Sequence, residues 1–166
     1  MAAMQPVTPQ RIAIAAKYLE NASTAAKACR KAGLPFYVAC ALLEKESGGK
    51  NVFGHDVGGA MAGAGYVTEA KWREFRRLVV DLHHTSNGVG PCQITYRGFF
   101  TDMEAQGLRP WVPHDNMLYG FRLLARYHAD KGSWEAAGTA YNGSSQYGRD
   151  LAALVEKWRK RLHIGG

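Results

Sequence analysis

Apolar residues recur every three or four positions through most of this chain, which predicts a succession of amphipathic helices. Thr8-Pro9 reads as a cap followed by proline in the first turn, and Ile12, Ala15, Ala16 and Leu19 then keep helical period. A short helix is expected from Thr24 to Ala32, stopped by Gly33. The next starts with Pro35 at its first position and puts Ala39, Leu42, Leu43 and Glu46 on one face before the Gly48-Gly49 stop. Glu44 and Lys45 point elsewhere, towards solvent. Thr68 caps a helix to His84 with Trp72, Phe75, Val79 and Leu82 on its face. Further helices are expected from Tyr96 to Gln106, from Asp115 to Gly132 on Met117, Phe121, Leu124 and His128, and from Ser133 to Tyr141. The last carries Tyr147, Leu151, Leu154, Val155, Trp158 and Leu162. Strand-like alternation is confined to residues 85–95. The expected fold class is mainly α, a single lobe over residues 1–166 with its core in 8–162 and at most a small β-hairpin. The tail Ile164-Gly165-Gly166 is expected to fray or to lead into a linker.

One stretch breaks the helical pattern. Residues 48–66 hold seven glycines, too many for a helix or a regular strand. A loop of this length in a small domain is usually functional or mobile. It is expected here to form a mobile cleft wall or lid.

Composition narrows the class. At 166 residues the chain can bury a core without staples. Cys29, Cys40 and Cys92 are odd in number and irregular in spacing, against a disulfide framework or a zinc cluster. A formal net charge of +7 favours polyanionic partners: nucleic acid, anionic wall polymer or an acidic membrane surface. The first residues lack a basic region followed by an apolar stretch, so no signal peptide is read. No apolar run reaches the length of a membrane span.

Glu46 is the position where chemistry first shows. It puts a carboxylate at the end of an apolar stripe, where lost hydration raises a carboxyl's pKa. A carboxyl still protonated at neutral pH is what general-acid catalysis on a sugar needs. Taken alone, a helix-end glutamate that curls into water is the commoner arrangement, since charged residues are rarely fully buried.

Three segments in order give that residue a context: Glu46-Ser47-Gly48-Gly49, then Gly88-Val89-Gly90-Pro91-Cys92-Gln93-Ile94-Thr95, then Ala140-Tyr141-Asn142-Gly143. Over residues 34–162 the chain resembles the lysozyme-like superfamily, in its lytic transglycosylase and goose-type lysozyme branch. That branch carries a Glu-Ser pair at a helix end, a Gly-x-x-Gln-(Ile/Val) segment and Ala-Tyr-Asn. Asn51-Val52-Phe53-Gly54-His55-Asp56 and Tyr147-Gly148-Arg149-Asp150 also resemble peptidoglycan-degrading phage lysins. The resemblance implies that Glu46 is the general acid, with Ser47 helping to position it or the substrate. It implies a cleft lined by Gln93, a Tyr141 that holds the Glu46 carboxyl, and an Asn142 that contacts the saccharide. His55 would join the substrate-binding set.

Two chemistries stay open. Forty-six residues separate Glu46 from Gln93, a longer connection than in simple transglycosylases. Goose-type lysozymes use aspartates in this region to position the attacking water. The nearest here is Asp56, and Thr95 stands where such an enzyme can carry an aspartate. Asp81 falls on the wet face of its expected helix. An inverting hydrolase needs a second carboxylate across the cleft. A transglycosylase needs only the acid, because the sugar's own hydroxyl closes a 1,6-anhydro ring. The long insertion favours hydrolysis with Asp56 as base.

The expected substrate is bacterial peptidoglycan, cut at the MurNAc–GlcNAc β-1,4 bond by a monomeric phage endolysin domain without cofactor or metal. Such a protein is made in the host cytoplasm and acts on the wall after release. A helix-turn-helix over residues 23–46 is the rival from another class, but no Arg or Lys lies between Leu34 and Leu43. The pairs His55/Asp56, His83/His84 and His114/Asp115 lack metal-ligand helical spacing.

Overall fold

Thr8 caps the first helix as its place before proline predicts: its Oγ1 accepts from the Arg11 amide at 3.2 Å. Helix α1 then spans Pro9–Ala16. The computed structural model describes residue 4 and residues 6–163, so the expectation for the tail lies outside the described residues. Helix α2 spans Ala22–Ala32 and stops at Gly33, whose φ of +73° suits glycine. Pro35 is the cap of α3, Phe36–Glu46, rather than its first residue.

Helix α3 is more central than its stripe implies. Every residue from Val38 to Leu43 is fully buried, so the helix is apolar all round and runs through the core. Helices α2 and α8, Ser145–Arg161, both pack on it. Glu44 and Lys45, expected in water, instead reach α8. Glu44 pairs with Lys157 at 3.2 Å, and Lys45 pairs with Asp150 at 3.2 Å.

Helix α4, Glu69–Arg76, is capped by Thr68 and continues as a π-helical turn, Arg77–Asp81. The wider turn shifts the register of the face. Trp72, Phe75 and Val79 are buried, but Leu82, expected beside them, is 52% exposed. The helix also ends at Asp81 rather than His84. Phe75 packs against Trp72, Phe53 and Phe100, the last from α5, Arg97–Ala105. Helices α6, Pro113–Lys131, and α7, Trp134–Asn142, complete the lobe, with α7 on α8 and α2 on α6. His128 and Trp134 stack at 3.7 Å where α6 turns into α7. Ser133 and Ser144 cap α7 and α8.

The molecule is mainly helical, with one contiguous core through these helices. Extended structure among the described residues is three isolated antiparallel bridges: Val52 to Tyr66, Phe53 to Val89 and Val89 to Ile94. They tie the glycine-rich loop to the 85–95 segment. Among the described residues no helix is long and apolar enough to cross a membrane.

Candidate active site

Helix α3 leaves the core at its C-terminal end, and Glu46 is where it does so. The residue is half-buried and opens onto a cleft of about 420 Å³. Asp56, from the glycine-rich loop, lines the same cleft, as do Gln93, Ile94 and Thr95. Tyr96 and Phe99 line it at the start of α5, Leu123 from α6, and Tyr141 and Asn142 from the end of α7. Four of the sequence-predicted site residues therefore converge with Glu46: Asp56, Gln93, Tyr141 and Asn142.

Burial pushes the Glu46 carboxyl from its ordinary 4.5 up to about 7, and the charge of Asp56 adds to the rise. A hydrogen bond from Tyr147 and the nearby Lys45 ammonium work against it. The Tyr147 hydroxyl donates to Glu46 Oε1, which leaves Oε2 for a proton. Burial, and then the Glu46 charge, push the Tyr147 phenol far up, so it remains a donor at any working pH. Lys45 lies over the Tyr147 ring at 5.3 Å and also bridges to Asp150, one turn further along α8. The acid and its partner are thereby locked between α3 and α8.

Tyr147 corrects the expectation for Tyr141. The phenol of Tyr141 donates to the Cys92 carbonyl at 2.8 Å, not to Glu46. The two rings stack 6.3 Å apart at 16°, so Tyr141 backs the tyrosine that holds the acid. Its face on α7 was legible, but the reach of a side chain depends on how α7 and α8 pack. Tyr147 was readable as an apolar position of the last helix and as part of the Tyr147-Gly148-Arg149-Asp150 segment, but not as the partner of Glu46. No local signal names that partner, because it is 101 residues away.

Ser47 also departs from expectation. Its Oγ donates to the Pro91 carbonyl at 2.7 Å and accepts from the Gly49 amide at 3.1 Å, and it is not among the cleft-lining residues. It ties the end of α3 to the 88–95 segment. Gln93 lines the cleft, but its Nε2 donates to the carbonyls of Val52 and Gly90, both at 3.0 Å. Its amide braces two loops and is not a free sugar donor. A Cβ on Gly54 or Gly88 would lie 2.3 or 2.2 Å from Gln93 Oε1, so both positions must be glycine for that side chain to fit. His55 is exposed beside Gly63 and is not among the residues lining the cleft. Both residues are exposed, and of the two it is Asp56 that lines the cleft.

Asp56 is held by its own hydrogen bond: Oδ2 accepts from the Gly88 amide at 2.7 Å. Two asparagines that the sequence did not single out fix the loops around it. Asn116, fully buried in α6, accepts from the Cys92 amide and donates to the Val89 carbonyl, both at 3.0 Å. Asn87, also fully buried, accepts from the Met61 amide at 2.9 Å and donates to the Gly88 carbonyl at 3.0 Å. Buried asparagines with both ends satisfied are rigid braces.

The glycine-rich loop is accordingly less free than expected. Phe53 is buried in the aromatic cluster, and backbone bonds run from Phe53 to Gly65, Gly54 to Gly88 and Val67 to Asn51. Its exposed tip is residues 55–58. Among the described residues no three His, Cys, Asp or Glu side chains converge as a metal set. Asp81 is paired with Arg76 at 2.9 Å, outside the cleft. Cys29, Cys40 and Cys92 are buried free thiols. Comparison with protein-family models, curated proteins and solved structures found no match to this chain.

Proposed function

We propose that this chain is a peptidoglycan glycosidase of lysozyme-like type that cleaves the MurNAc–GlcNAc β-1,4 bond, and that it serves as the wall-degrading domain of a phage endolysin. The observation that carries the reading is Glu46: a carboxyl near pKa 7, oriented by Tyr147, in a cleft that a second carboxylate also lines. Two carboxyls on one cleft, one of them kept protonated towards neutral pH by burial, are the pairing that glycoside hydrolysis uses. In this reading Glu46 gives its Oε2 proton to the glycosidic oxygen as the bond from that oxygen to C1 breaks. Asp56 takes a proton from a water that attacks C1 from the other face. The exposed ring of Tyr96 and the Asn142 amide give the cleft surfaces for sugar faces and N-acetyl groups. The net charge of +7 suits an anionic wall.

The nucleic-acid reading loses support from α3. The second helix of the candidate helix-turn-helix is buried on all sides from Val38 to Leu43, which leaves no face for a major groove.

The test is digestion of purified cell walls. Glu46→Gln should stay folded by circular dichroism and lose about 10²–10⁴ in rate, the usual worth of a general acid. Mass spectrometry of the wild-type products should show reducing muropeptides. Lysis by the variant within tenfold of wild type removes Glu46 from the role. Products lighter by one water shift the reading to transglycosylation with the same acid.

A further inference from the structure

Leu123 borders more than the main cleft. A second, smaller hollow of about 130 Å³ shares that residue and is lined by Asp102, Gln106, Tyr119, Arg122, Leu123 and Arg126. An aromatic wall links the two. Tyr96 meets Phe99 at 5.0 Å, and Phe99 meets Tyr119 at 5.7 Å. The far end differs in chemistry from the Glu46 end. Arg122 and Arg126 are one helical turn apart on α6, are exposed, and carry no ion pair among the described residues. The one acid there, Asp102, is engaged: its Oδ2 accepts from Tyr119 at 2.8 Å and from Gln106 at 3.1 Å. Two guanidiniums against one carboxylate leave the hollow net positive.

We propose that this hollow is a carboxylate-binding subsite that holds the acidic peptide branch of the glycan lying in the main cleft. The inference rests on the glycosidase reading. At 130 Å³ against 420 Å³ the space is about a third of the main cleft, suited to one carboxylate-bearing group rather than a further run of sugars. Arginine favours carboxylates through paired N–H donors in a fixed fork. A free anion would find these arginines anywhere on the surface. Continuity with the cleft, through Leu123 and the Tyr96–Phe99–Tyr119 wall, favours an anion covalently attached to the bound glycan. Peptide stems that branch from the lactyl groups of peptidoglycan have that attachment.

Paired substrates test it: soluble peptidoglycan strands with stem peptides intact, and the same strands stripped of peptides by an amidase. The wild type should cleave the intact strands with the lower KM. Arg122→Gln/Arg126→Gln should raise KM on intact strands about tenfold, the worth of one charge-assisted contact, with kcat held, and leave KM on stripped strands within twofold. Arg122→Lys/Arg126→Lys should restore part of the preference, because charge returns without the fork. Equal losses on both strands, or no loss on either, overturn the subsite. So does an equal loss of preference when inorganic phosphate and free stem peptide compete equally well, which would mark a general anion patch. A wild type that cleaves neither strand sinks the glycosidase reading instead, a result that the paired KM values cannot mimic.

Discussion

At the scale of single residues, the decisive contact joins Glu46 to Tyr147. The phenol stabilises the ionised carboxylate and so restrains a pKa that burial drives upward. Removing it has a signed consequence. Tyr147→Phe should raise the Glu46 pKa above about 7, so the alkaline limb of the wall-lysis pH profile should move to higher pH. The maximal rate should fall, because the carboxyl loses its orientation. A limb that stays in place or moves down contradicts the role. Asp56 offers a separate test. Asp56→Asn should lower hydrolysis by roughly 10²-fold or more, because the water loses its base. The asparagine can still accept from the Gly88 amide, so the loop should hold. Near-normal activity with anhydro products would replace Asp56 by the sugar's own hydroxyl as the nucleophile's source.

At the scale of elements, the site is two loops braced against a buried helix. Gln93, Asn87 and Asn116 spend their amides on backbone groups of the 50–67 and 85–95 segments. Exchange with solvent reports such local stability. Amides of Phe53, Gly54 and Val67, which donate to other backbone groups, should exchange slowly in the free protein. Amides at the 55–58 tip, exposed to solvent, should exchange fast and slow down when a muropeptide is bound. Uniformly fast exchange over residues 48–66 would return the loop to the freely mobile lid that its glycine content implies.

At the scale of the whole molecule, the raised pKa of Glu46 is a cost to stability. The folded state binds the proton more tightly than the unfolded chain, so stability is fully present below about 4.5 and falls as pH rises through about 7. At about 1.36 kcal/mol per pKa unit, the loss reaches up to about 3 kcal/mol above neutral pH. Glu46→Gln carries no ionisable group there. Its unfolding midpoint in urea should exceed that of wild type at pH 8, and the gap should shrink at pH 5. A gap that is constant across this range would mean that Glu46 is not strained by burial.

What the sequence determined by itself was local. Thr8, Thr68 and Ser133 cap helices because a side-chain oxygen can reach an amide three residues on, and Gly33 and Gly132 end them because they accept positive φ. Those rules need no partner, and they yielded a mainly helical chain with element ends right to within a few residues. The stripe that carries Glu46 out of the core was legible for the same reason, and a carboxylate breaking that stripe marked the cleft. Tertiary structure alone decided which groups meet there. Tyr147 rather than Tyr141 holds the acid, Ser47 and Gln93 brace loops, and of His55 and Asp56 it is Asp56 that lines the cleft. Each of those outcomes depends on contacts between segments far apart in the chain, set by the docking of α3 on α8 and of the glycine-rich loop on residues 85–95. Periodicity tells which face of a helix is buried, but not what it is buried against.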